Sequence, residues 1–203
     1  MRFSRLVLAV LLSVCVTLTA AHAQQATTGQ SGYQVGDRLV SKARADKDGF
    51  TEIEWDDLLP AEWNPQALFD DLDLDNLSDN DPRAIDLMRR LREEWDRAPV
   101  VERMNGRRIR IPGFVVPLEG DGKTIREFLL VPYFGACIHV PPPPANQLIH
   151  VMPDKPIAGD WNMVPVWVSG VLTVARIESQ LGNAGYQLRA IKVEEYKEEA
   201  AKR

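Results

Sequence analysis

Hydrophobic and polar positions change their period near residue 100. Before it, Ile85, Met88, Leu91 and Trp95 recur at helical spacing, with Arg89, Arg90, Arg92, Glu93, Glu94 and Asp96 between them. Asn80 or Asp81 supplies a cap, Pro82 suits the first turn, and Pro99 marks a stop. This predicts one helix with an apolar packing stripe. After residue 100 the pattern becomes extended. Asn105-Gly106 is a turn, and Arg107 to Leu118 reads as a strand with a bulge or edge kink at Pro112-Gly113. Glu127 to Phe134, Val164 to Ala175 and Gln187 to Tyr196 read as further strands, and Arg176 to Gly182 as a short helix. Between the second and third of these strands, Cys137 to Met152 has strand character on both sides of a four-proline run. About five strands with short connections and a glycine in mid-strand at Ser169-Gly170 predict a mainly β fold. The expected form is a small five-stranded OB-like barrel carrying an N-terminal helical arm. A sandwich-like half-barrel is the alternative.

The segments before the barrel divide by composition. Arg2 and Arg5, an apolar run from Leu6 to Leu18 and the small-x-small triplet Ala21-His22-Ala23 read as a signal peptide over residues 1–23, which implies a periplasmic product. The run is short for a membrane span. Cys15 within it gives lipid anchoring as a second reading, which Val14 disfavours. Residues 24–45 read as a disordered linker, 46–99 as an acidic arm and helix, and 100–203 as the barrel domain. Within the arm, Phe50 to Ile53 predicts a short strand. Glu54 to Pro60 predicts a helical turn docked through Trp55, Leu58, Leu59 and Trp63. The aspartates from Asp70 to Asp81 read as a solvated face or a calcium site of low affinity, and the spacing around Asp46 to Gly49 does not fit a calcium-binding hand.

Charge narrows the partners. The formal net charge is −5, and losing Arg2 and Arg5 with the leader, but no acidic residue, takes it to −7. An acidic chain without a basic run argues against nucleic acid.

The candidate chemistry lies in Cys137 to Met152. This stretch holds one of the two cysteines, the other being Cys15, and two of the three histidines. Alternation puts Cys137 with His139, and His150 with Met152, on common faces. A chain reversal between Pro144 and Ala145 would set His139 opposite His150 and Cys137 opposite Met152. Thiolate, two imidazoles and a thioether suit a zinc ion, or copper if the thioether joins. Two other readings stay open. Cys137 is a buried packing residue, or it is a catalytic thiol paired with His139 or His150 and oriented by Asn146 or Gln147. The proline run would present Cys137 and His139 rigidly.

Three stretches carry a family resemblance: Trp55 to Pro60, Arg110 to Leu118, and Phe128 to Gln147 with its FGACIHVPPPPANQ block. Over residues 50 to 196 the chain resembles the DUF3299 family of exported bacterial proteins. That resemblance implies no settled activity. It implies an exported or lipid-anchored accessory, in some members encoded beside metal-uptake or lipoprotein-type transport components. The expectation is therefore a periplasmic protein that binds zinc or copper through Cys137, His139, His150 and Met152 and serves a membrane transporter component. A non-catalytic OB-like interaction module and a thiol-dependent enzyme using Cys137 are the alternatives.

Overall fold

A computed structural model describes residues 32–39, 48–65 and 81–197. The expected signal peptide, the expected linker apart from residues 32–39, most of the aspartate run and the end of the charged tail lie outside these residues. In chain order the elements are β1 (Thr51–Glu52), α1 (Pro82–Asp96), β2 (Arg108–Gly120), β3 (Thr124–Val131), β4 (Ile149–Pro153), β5 (Ile157–Ala158), β6 (Pro165–Ile177) and β7 (Ala184–Glu195). Strands β2, β6, β7, β4 and β3 follow one another around a barrel, and β2 pairs with β3 to close it. Every pair in the barrel is antiparallel except β4 with β7. This is the five-stranded closed barrel that the sequence pattern predicts. No described helix is long and apolar enough to cross a membrane.

Alternation explains both of its cores. Ile109, Ile111 and Val115 of β2, Phe128 and Leu130 of β3, Ile149 and Val151 of β4, and Tyr186 and Leu188 of β7 fill the interior. Their neighbours Phe114, Val116, Leu129 and Val131 face outward, yet are equally buried. They form a second cluster with Phe134, Ala136 and Leu148, against which Tyr33, Leu39 and Cys137 pack. Phe128 to Val131 is thus an unbroken apolar run because both of its faces are covered.

The arm plugs one end of the barrel, as its tryptophans suggest. Trp55–Leu58 forms a 3-10 turn, and Trp55 and Leu58 join the interior cluster. Trp55 Nε1 donates to the Pro112 carbonyl at 2.7 Å. Tyr186 Oη donates to the Leu58 carbonyl at 2.9 Å and accepts from Val101 N at 2.7 Å. In α1, Asp81 Oδ1 accepts from Arg83 N and Pro82 opens the helix, matching the predicted cap. The Arg83 guanidinium and backbone N–H hold the Asp81 carboxyl below its usual range.

Several expectations are corrected. The apolar stripe of α1 is only half covered: Leu91 is buried, but Ile85 is 59 % and Met88 54 % exposed. No bulge occurs at Pro112-Gly113, where the register with β6 runs unbroken through Trp167 and Val166. Pro112 is tolerated because β1 has ended at Arg110 and β3 first pairs at Phe114, so no ladder needs its missing N–H. Gly113 is small because Leu130 and the Val131 carbonyl occupy the space of a side chain. The shifts of β2 lie instead at Pro117 to Gly120. Residues 176–182 are not a helix. Strand β6 runs on to Ile177, which pairs with Ala184, and Ser179 closes the turn with Oγ bonded to the Gly182 carbonyl. The second strand begins at Thr124 and ends at Val131, since Pro132 cannot extend the ladder.

Candidate functional site

The proline segment does not build the predicted hairpin. Gly135 has φ +87°, and its carbonyl accepts from the amides of Ile138, His139 and Val140 at 3.3, 2.9 and 3.3 Å. Cys137 itself sits at φ +64°. The chain there curls into a compact turn around one carbonyl, so Cys137 and His139 share no strand face. Pro141 to Pro144 offer no N–H groups, and the chain re-enters through a 3-10 turn at Ala145–Gln147. In that turn Asn146 donates to the Pro99 carbonyl at 2.9 Å and Gln147 to the Trp55 carbonyl at 2.8 Å. The orienting role considered for these amides is therefore replaced by clamping of the arm.

Strand β4 has β3 and β7 as its neighbours, not the segment before the prolines. His150 pairs with Leu129 and Gln187, and Met152 with Arg189. The structure thus separates the four expected ligands. Cys137 packs half-buried against the second core, His139 is exposed in the turn, and His150 and Met152 lie on β4. Among the described residues, no three His, Cys, Asp or Glu side chains gather as a metal group. Burial pushes the Cys137 thiol up to about 12, so it stays protonated near neutrality, where a nucleophile or ligand needs the thiolate.

One half of the parity argument survives. Ile149 and Val151 point inward, so His150 and Met152 face outward together. His150 is nevertheless only 5 % exposed. Its Nε2 lies 3.0 Å from Glu127 Oε2, and its Nδ1 lies 3.3 Å from Gln187 Nε2. A carboxylate only accepts, so Nε2–H donates to Glu127, while Nδ1 lies against the Gln187 amide. The row carboxylate, imidazole, amide spans β3, β4 and β7 on the outside of the barrel. Beside it on the same face are Met152, Arg189 and, at a bulge, Ile191. Lys192 pairs with Ser169 and Ala190 with Gly170, which leaves Ile191 as the extra residue.

Glu127 and Gln187 are the residues that local sequence reasoning misses. The available signal is a charged residue within the apolar strand Thr124–Val131, at a position whose neighbour Phe128 faces inward.

A cleft of about 370 Å³ lies elsewhere, between the end of α1 and the β6–β7 turn, lined by Glu93, Asp96, Arg97, Arg176, Glu178 and Asn183. Its lining is charged and polar, unlike the mostly apolar walls of small-molecule pockets.

The closed barrel and its outward polar row define a small OB-type barrel protein with an arm-plugged end. Residues 55–195 match the family described as protein of unknown function (DUF3299), and the chain belongs to that family. It is similar to a DUF3299 family protein from Pseudomonas aeruginosa PAO1, solved by crystallography at 2.45 Å. The two share 37 % identity with a TM-score of 0.57, over 73 % of this chain and 97 % of that one. No curated protein matches the chain.

Proposed function

We propose that this protein is an exported, non-catalytic binding module that docks a periplasmic or membrane protein through the outer face of β4 and β7. The observation that carries the reading is the pair Met152 and Ile191, exposed by 42 % and 44 % on either side of Arg189. Methionine and arginine are enriched in protein interfaces. Barrels of the OB type bind oligonucleotides and oligosaccharides across their second and third strands, here β3 and β4, so the proposed face adjoins that one through β4. That second support is an analogy of fold. The thiol-enzyme reading loses ground because burial keeps Cys137 protonated. The zinc or copper reading loses ground because only His150 and Met152 of its four expected ligands share a face.

The test places a photo-crosslinking residue at 152 or 191, with Lys155 as a control position, in cells exporting the full chain. The expected result is one discrete crosslinked protein from both face positions, lost with Arg189→Glu. Absence of a crosslink from either face position, with a normally folded and exported chain, overturns the docking reading.

A further inference from the structure

We propose that the open edge of β7, from Ile191 to Glu195, pairs with the same edge of a second copy of this chain, about a two-fold axis at Val193. The inference stands apart from the docking reading, which uses the outward face and not the backbone edge.

Strand β4 accompanies β7 only from Tyr186 to Ala190. The Asp154 N–H donates to the Ala190 carbonyl at 2.8 Å, and the chain then turns toward β5. Strand β7 runs on to Glu195, held on one side by β6. Tyr196 N donates to the Pro165 carbonyl at 2.8 Å. The register with β6 is unbroken from Lys192 to Glu195, and hydrogen-bonded pairs alternate with non-hydrogen-bonded ones in such a ladder. Lys192 and Glu194 therefore turn their backbone groups toward β6, and Val193 and Glu195 turn theirs away. Among the described residues no strand pairs with that side. An edge of this kind is a template for a further strand.

The side chains select the occupant. Val166 and Val168 point inward, so Trp167 and Ser169, with their partners Glu194 and Lys192, face outward. Lys192 Nζ lies 3.0 Å from Glu194 Oε2 and 3.6 Å from Asp48 Oδ2, yet the Lys192 and Glu194 side chains remain 45 % and 43 % exposed. With the axis at Val193, that residue meets its own copy in a hydrogen-bonded pair. Each Lys192 then stands opposite the Glu194 of the second copy, in the closer, non-hydrogen-bonded kind of pair. The charges alternate around a square, each lysine having one glutamate beside it and another across the axis. An axis at Lys192, Glu194 or Glu195 would set like charges directly opposite one another, which destabilises a sheet. The edge is thus complementary to itself in one register. A ladder this short covers less than the roughly 800 Å² that each partner gives to a stable complex, so association is weak and reversible.

The experiment is sedimentation velocity on the purified, exported full chain from the low micromolar to the submillimolar range. The expected result is a monomer–dimer equilibrium, weakened by high salt. Lys192→Glu and Glu194→Lys each turn two attractive pairs into repulsive ones and should weaken association roughly tenfold or more. An equimolar mixture of the two variants should associate as the native chain does, because each reversed charge then faces its opposite. Arg189→Glu, outside the ladder, should change nothing. A chain that stays monomeric throughout overturns the proposal, as does a dimer that neither charge reversal weakens. So does a lack of recovery on mixing the two variants, both shown to be folded by circular dichroism. Loss of the dimer in Arg189→Glu also overturns it and would put the contact on the outward face. Sedimentation reads the pure chain and crosslinking reads a foreign protein in cells, so each reading fails on its own.

Discussion

The indole Nε1 of Trp55 donates to the backbone carbonyl of Pro112 across 57 residues of chain, at 2.7 Å and out of reach of water. The bond ties the plug to β2 where that strand has a neighbour on one side only. Trp55→Phe keeps most of the apolar contact and removes the donor, leaving a buried carbonyl unpaired. It should lower stability by about 1–3 kcal/mol. Tyr186→Phe, which strips partners from Leu58 and Val101, should have an effect of the same size. Equilibrium urea unfolding of both variants measures this.

Helix α1 should respond unevenly along its stripe. Leu91→Ala removes a buried side chain and should cost about 2–4 kcal/mol. Ile85→Ser and Met88→Ser alter exposed positions and should each stay within about 0.5 kcal/mol. Comparable losses at all three positions in thermal unfolding would contradict the half-covered helix.

Gly170 marks the register shift of β6, and a side chain there would collide with the Arg189 carbonyl. Backbone, unlike the end of a flexible side chain, cannot swing away. Gly170→Ala should therefore destabilise strongly and disturb β7. Loss of amide protection along residues 186–195 in hydrogen exchange checks it.

Cys137 should behave as a protonated packing residue. Thiolate absorbance near 240 nm should appear with a midpoint of about 12, and alkylation by iodoacetamide at neutral pH should be slow. Because burial raises this acid above its ordinary value, the unfolded chain ionises first. The thiol's contribution to stability is therefore intact below about pH 9 and falls as pH rises toward about 12. Cys137→Ala should flatten that alkaline decline.

What was legible in the sequence follows from the range of the interactions. Alternation in β2 and β7, the cap at Asp81 and the apolar anchors of the arm are local or depend on simple burial. The sequence pattern therefore locates the barrel strands within a few residues. The candidate site depends on distant pairings. Residues 137–140 carry extended-looking side chains, but one glycine at positive φ and one over-used carbonyl curl them away. Parity correctly joins His150 to Met152 because both lie on one strand. It misjoins them to Cys137 and His139 because a proline run gives no register. Glu127 and Gln187 meet His150 only because β4 pairs with both β3 and β7, which no short window of sequence encodes. Ser169-Gly170 is legible as a bend, and Pro112-Gly113 as an edge position though not as a bulge, because its tolerance comes from the lengths of neighbouring strands.

Strand β7 lies between β4 and β6, although it is made after both. Until its residues arrive, those two strands keep open edges, and Leu172 and Val151 lack their β7 neighbour Leu188. Closure must therefore wait for nearly the whole chain, which makes the fold one of distant contacts and slow assembly. A barrel locked by β7 is thereby guarded against closing before that strand is made.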